Sequence, residues 1–205
     1  MMRRTLILTG LVGLVGAATL LGGMSPAPIT APAPAPSGTW SVDPVHSSMV
    51  FRIKHLDTTY FYGQFNELSG TIAFDDSNPE ASTMSLSVAI DSVETHNPNR
   101  NNHLKSQSFF NAKEFPTATF TSTAWKKSGD NTFDVTGDLT IHGVKKPITI
   151  KLEKTGQAAK GPMRVPIVGF ATEFTINRDD FGITYMPDGL SKDVKLMIGI
   201  EAGQK

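Results

Sequence analysis

Phe133-Asp134-Val135-Thr136-Gly137-Asp138-Leu139-Thr140-Ile141 is the stretch on which the fold turns. Apolar side chains stand at 133, 135, 139 and 141, polar ones at 134, 136, 138 and 140. In an extended strand successive side chains point to opposite faces, so this segment has one face for a core and one for water. Outward from it the period persists. Ile148, Ile150 and Leu152 share a face, as do Met84, Leu86, Val88 and Ile90. So do Val168, Phe170, Phe174 and Ile176, and Val194, Leu196, Ile198 and Ile200. Met49, Phe51 and Ile53 alternate with Val50, Arg52 and Lys54; Gln64 to Asp75 forms a longer run through Gly70, and Thr117 to Lys126 carries a stripe of threonines. Turn chemistry punctuates the runs at Asp75-Asp76-Ser77-Asn78-Pro79, Ser128-Gly129-Asp130-Asn131, His142-Gly143 and Pro187-Asp188-Gly189.

One stretch breaks the pattern. Residues 99–112 contain few β-branched side chains and predict one or two helical turns, with the next strand starting at Pro116. The expected fold is therefore all-β: an extended antiparallel β-barrel of about eight strands with a short helical insertion, closed because closure removes exposed edges.

The ends and the composition limit the function. Met1-Met2-Arg3-Arg4 and the uncharged run Leu6 to Gly23 read as a secretory signal peptide over residues 1–23, with an uncleaved membrane anchor as the rival. Residues 24–38 alternate proline with alanine at Pro32, Pro34 and Pro36 and form a Pro/Ala-rich linker of polyproline II character. Residues 39–205 are the folded domain. With 19 basic and 19 acidic residues the net charge is zero, which gives nucleic-acid binding little electrostatic support. Without cysteine there is no disulfide, thiolate metal site or lipidated N-terminal cysteine.

Several strings recur in a recognisable order: Trp40-Ser41-Val42-Asp43-Pro44-Val45-His46-Ser47, Phe51-Arg52-Ile53-Lys54-His55-Leu56, His103-Leu104-Lys105-Ser106 with Phe109-Phe110, and Phe115-Pro116-Thr117-Ala118-Thr119-Phe120. Gly137-Asp138-Leu139-Thr140-Ile141-His142-Gly143-Val144 and Ile176-Asn177-Arg178-Asp179-Asp180-Phe181-Gly182 complete the set. Together they resemble the YceI family over about residues 39–202. The resemblance implies a lipocalin-like barrel, a polyisoprenoid held inside it, and export to the periplasm. It carries over no catalytic residue.

Residue by residue, the chemistry is sparse. The five histidines show no HxH or HExxH spacing, so no metal site is expected. There is no Gly-x-Ser-x-Gly elbow and no glycine-rich phosphate loop, so neither an enzyme nor a cofactor is expected. Asp138 and His142 share a parity without forming a dyad on that ground alone. Arg178 suits either backbone carbonyls or a ligand head group. The apolar stripes fit a packed core and a ligand-lined interior equally. Phenylalanines and small residues at Ala89, Gly137 and Gly199 favour a cavity. The expected lining is Phe51, Ile53, Phe65, Met84, Leu86, Val88, Phe120, Ile141, Phe170, Phe174, Leu196 and Ile198, with His55, His103, His142 and Arg178 as head-group contacts. The expected partner is a long-chain isoprenoid or quinone-like lipid, with membrane contact for its exchange. Another lipophile such as a fatty acid or amide, a side-chain-filled barrel serving as an exported interaction module, a homodimer and a membrane-anchored form stay open.

Overall fold

The computed structural model describes residues 38–161 and 164–204. The expected leader and all but the last residue of the linker lie outside them. Eleven strands form one sheet: β1 (Gly38–Val42), β2 (Ser48–His55), β3 (Thr59–Phe65), β4 (Leu68–Phe74), β5 (Thr83–Ala89), β6 (Val93–Glu94), β7 (Thr117–Lys127), β8 (Thr132–Ile141), β9 (Val144–Ala158), β10 (Ile167–Asn177) and β11 (Leu190–Gln204). Among the described residues there is one α-helix, α1 (Pro98–Lys105), between β6 and β7.

Pairing reduces these eleven strands to a simple plan. β1 and β2 both run along β11, through Val42↔Ala202 and Ser48↔Gly199. β4 and β3 continue each other against them, and β5 and β6 continue each other in turn. Three long strands are each broken once, and with β7 to β11 they make eight. Every neighbour pair is antiparallel and consecutive, and β1 pairing with β11 closes the ring. The expected barrel is present, as an up-and-down meander. The expected run from Gln64 to Asp75 is split at Asn66-Glu67, where the wall turns a corner.

Serine side chains carry the ladder across these breaks. Ser47 Oγ donates to the Glu201 carbonyl at 3.2 Å and accepts from the Glu201 N–H at 3.1 Å. Ser92 accepts twice, through its carbonyl from the Asn66 N–H and through its hydroxyl from the Glu67 N–H, both at 3.1 Å. A hydroxyl that both donates and accepts replaces the backbone groups a bulge removes from register.

The two ends of the barrel differ. At the end holding the β7–β8 turn, Trp40, Phe74, Trp125, Phe133 and Phe170 are buried and fill the interior. Phe74 lies at the centre, 5.3 Å from Phe170 and 5.5 Å from Phe133 by ring centroids, both edge-on. Lys154 enters this plug from β9, its ammonium 2.8 Å from an Asp76 carboxylate oxygen and 5.4 Å from the Phe74 ring centre. Phe170 was expected to line a cavity; it is instead part of this packed end.

At the opposite end the sheet is incomplete. β9 pairs with β10 only from Leu152 onward, so its first half, with Pro147, has a free edge on that side. The loop 178–189 fills that gap, and the segment 95–116 with α1 fills the gap beside β6. The eight residues of α1 make the one or two helical turns expected within 99–112, with the helix beginning one residue earlier. It starts where Asn97 caps it by accepting the Arg100 N–H at 3.0 Å, with Pro98 at the first turn. The β8–β9 hairpin also ends here in a two-residue turn with φ of 52° at His142 and 75° at Gly143, a geometry that favours glycine. A Cβ at Gly143 would come within 2.5 Å of the Phe115 ring. Gly143→Ala is expected to cost about 1–2 kcal/mol from the backbone conformation alone. Chemical denaturation reads this as a lower midpoint at unchanged slope.

Candidate functional site

Inside the incomplete end lies a cavity of about 530 Å³, within the size range of small-molecule sites. Its wall is built from the inward stripes of β2, β3, β5, β8 and β11, including Phe51, Phe65, Val88, Ile141 and Leu196. A smaller space of about 60 Å³ lies deeper, walled by Met84, Leu86, Phe120, Phe174 and Ile198. Val88, Ile141 and Leu196 line both, so the two are consecutive compartments of one interior. Eleven of the twelve expected lining residues are brought together here, the exception being Phe170. Of the small residues expected to leave room, Gly137 does not: a Cβ there would lie 2.6 Å from the tip of the Phe120 ring, which occupies that space.

The two inserted segments supply the rest of the enclosure. Leu104, Phe109 and Phe110 come from the first, and Phe181, Ile183, Tyr185 and Met186 from the second. The segments meet: Tyr185 is 5.0 Å from His103 and 5.0 Å from Phe109 by ring centroids. Phe110 reaches Phe65 at 5.6 Å, edge-on, tying the cover to the wall. Sequence reasoning missed these residues because neither segment has a strand's period. Phe61 belongs to the Tyr60-Phe61-Tyr62 run, where aromatic residues stand on both faces. Met49, Ile90, Ile176 and Val194 also line the wall and lie on stripes whose parity was already legible.

Few polar side chains face the cavity. His55, Thr59, Arg100, His103 and Arg178 do. The guanidinium of Arg100 stacks on Phe61 at 4.3 Å, and its Nε donates to Thr95 Oγ1 at 2.9 Å. Arg178, only 4 % exposed, donates to four carbonyls: Ser191 at 3.0 Å, Ile183 at 2.6 Å, Tyr185 at 2.9 Å and Leu190 at 3.1 Å. These bonds hold the loop that covers the cavity. His142 is not on the wall; its Nδ1 lies 3.2 Å from the Phe181 carbonyl and its ring packs on Phe115. Asp138 faces Lys145 at 3.5 Å, so it makes no dyad with His142.

Away from the cavity, Asp43, His46 and Glu201 place three ligand-type atoms within 4.8 Å of one another at the β1–β2 corner. Asp43 accepts the Val45 N–H at 2.8 Å and sits 2.8 Å from His46 Nδ1, which closes this exposed turn. Donation from the His46 ring to the Asp43 carboxylate raises the imidazole above its ordinary pKa, and the same bond lowers that of the Asp43 carboxyl.

The sequence profile of the YceI-like domain matches residues 40–202, the whole of the barrel but its extreme ends. The chain belongs to the YceI family. A UPF0312 protein of Pectobacterium atrosepticum is 42 % identical over 156 residues, which cover 76 % of this chain and 80 % of that protein. The crystal structure of the Campylobacter jejuni YceI protein is 35 % identical, covers 74 % of this chain and 90 % of that one, and superposes with a TM-score of 0.63. A polyisoprenoid binding domain from Saccharophagus degradans, implicated in plant cell wall breakdown, shares the fold at a TM-score of 0.66 and 18 % identity, covering 81 % of this chain and 98 % of that one. The YceI barrel in this chain thus has a packed end and a hollow end, with the hollow end under two inserted segments.

Proposed function

We propose that this protein is an exported lipid-binding protein that holds a long isoprenoid or quinone-like chain in the hollow half of its barrel and does no chemistry on it. One observation carries the proposal: the apolar cavity of about 530 Å³ that continues into a second compartment along the barrel axis. A wall of Phe, Ile, Leu, Val and Met recognises apolar length and girth and little else. Each buried CH₂ is worth about 0.8 kcal/mol, so ten such groups gain roughly 8 kcal/mol before ordering costs. The aromatic plug beyond Phe174 sets how deep a chain penetrates. His55, Arg100 and His103 lie where a polar head would stay near water, and the chain's other end would point toward Leu86 and Ile198. Arg178 lies on the wall with four N–H groups already engaged by carbonyls, so its part is to hold the cover. The polyisoprenoid-binding neighbour supports the ligand class, and the charged-then-apolar start of the chain supports export to the periplasm.

Native mass spectrometry followed by organic extraction tests this, on protein exported in a bacterial host. The expected result is a near-stoichiometric adduct of isoprenoid mass. Protein that is empty and takes up neither prenyl alcohols nor quinones would refute it; an adduct of fatty-acid or amide mass would keep the carrier and change its cargo.

A further inference from the structure

The cavity reaches the surface where its lining residues are exposed: Thr59, Arg100, His103, Tyr185 and Met186. Beside this mouth stands the β2–β3 turn, whose Leu56 N–H donates to the Gly189 carbonyl at 2.8 Å. The turn and the 185–189 loop therefore form one continuous rim. Seven non-glycine residues of the described chain have positive φ, and the apolar ones are Leu56 at 48° and Met186 at 56°. Glycine, asparagine or aspartate would adopt this conformation at least cost. Both side chains are also large and exposed, Leu56 at 53 % and Met186 at 39 %. Met186 faces the cavity at its mouth and packs on Gly189, whereas Leu56 stands outside the lining, where neither the backbone nor burial explains an apolar side chain; both places border the mouth. Directly below, on the outer face of β3, Tyr60 and Tyr62 are each 52 % exposed, and Tyr185 is 43 % exposed on the rim itself.

We infer that this rim docks on the surface of a lipid bilayer with electrically neutral headgroups, so that an apolar chain passes between bilayer and cavity without crossing water. Leu56 and Met186 enter the acyl boundary, and Tyr60, Tyr62 and Tyr185 sit at headgroup level, where amphipathic rings are favoured. The local charges support a neutral surface. Lys54 pairs with Asp57 at 2.6 Å, the Arg52 guanidinium lies over the Tyr60 ring at 4.1 Å, and Asp188 adds an acidic group to the loop. With Arg100 at the mouth, its guanidinium held by Phe61 and Thr95, three cations face two carboxylates, so the rim carries no polybasic cluster of the kind that seeks anionic lipid. A second copy or a protein partner on this rim would cover the mouth it borders, whereas a bilayer is itself a source of the cargo.

The inference rests on the lipid-carrier proposal, and the test separates the two. Protein purified from expression of the full chain is mixed with phosphatidylcholine vesicles carrying a fluorescently labelled geranylgeraniol. The same lipid is presented in parallel as a cyclodextrin complex. The variant is Leu56→Asp with Tyr62→Thr. Both positions lie outside the cavity lining, aspartate tolerates the left-handed turn, and threonine suits a strand. The expected result is transfer from vesicles at a rate that rises with vesicle concentration in the parent and falls at least tenfold in the variant, while uptake from cyclodextrin is equal in both. Unchanged transfer in the variant overturns the docking rim, as does a rate independent of vesicle concentration or one that requires anionic lipid. A parent dimer that the variant dissociates also overturns it, by giving the rim a protein partner. Uptake from neither source overturns the carrier proposal and this inference with it.

Discussion

Arg178→Met is expected to lower the stability of the domain by about 2–4 kcal/mol, through the loss of charge-assisted hydrogen bonds to four carbonyls. The reason lies in the loop it serves. Between Gly182 and Leu190 the chain covers the cavity without a strand partner, so its carbonyls have no ladder to accept from. Arg178 supplies donors to Ile183, Tyr185, Leu190 and Ser191 from one planar group. Methionine keeps most of the volume and removes every donor, leaving the buried Ile183 carbonyl unsatisfied at about 1–3 kcal/mol and three half-buried carbonyls to water at a smaller cost. Arg178→Lys should recover less than half of the loss, because an ammonium has three donors and no fork. Urea denaturation measures the loss, and amide exchange should show it concentrated at 183–191. A change below about 1 kcal/mol would contradict this role.

Val88→Trp is expected to weaken binding of a prenyl chain about 100-fold or more. Val88 lines both compartments, so an indole there blocks the passage from the larger to the smaller. Excluding about four CH₂ groups from the deep part loses roughly 3 kcal/mol, which is that factor in affinity. Overpacking the wall costs about 1–3 kcal/mol of stability, so a thermal melt must accompany the titration. Ala89→Trp is the control. Its side chain alternates to the other face of β5, and affinity should stay within a few-fold. A folded Val88→Trp protein with undiminished affinity would show that the ligand does not use this interior.

The alternation that makes Met84, Leu86 and Val88 one face is the same physics that closes the barrel, and so the fold was legible in the sequence. The corners were less so. At 43–47 and 66–67 the ladder survives on the hydroxyls of Ser47 and Ser92, and a serine among strand residues carries no mark of that duty. Period two also tells inward from outward but not top from bottom. Phe170 and Phe174 have equal parity on β10, yet Phe170 packs on Phe74 in the plug and Phe174 lines the deeper compartment. The cover was least legible. Phe109, Phe110, Phe181, Tyr185 and Met186 lie in segments without regular period, where long-range contacts alone decide what they face. Arg178 was legible as a donor, and only the structure distinguishes carbonyls of its own loop from a ligand's head as its main acceptors.

The proposed ligand is an apolar chain lying in the hollow half of the barrel. The most direct measurement is isotope-filtered nuclear Overhauser spectroscopy on methyl-labelled protein mixed with a prenyl quinone. Cross-peaks from the ligand's methyl protons to Val88, Ile141 and Leu196, with none to Val135 beside the aromatic plug, are the result expected. Binding with cross-peaks confined to outward-facing methyls such as Val50, or no binding at all, would contradict it.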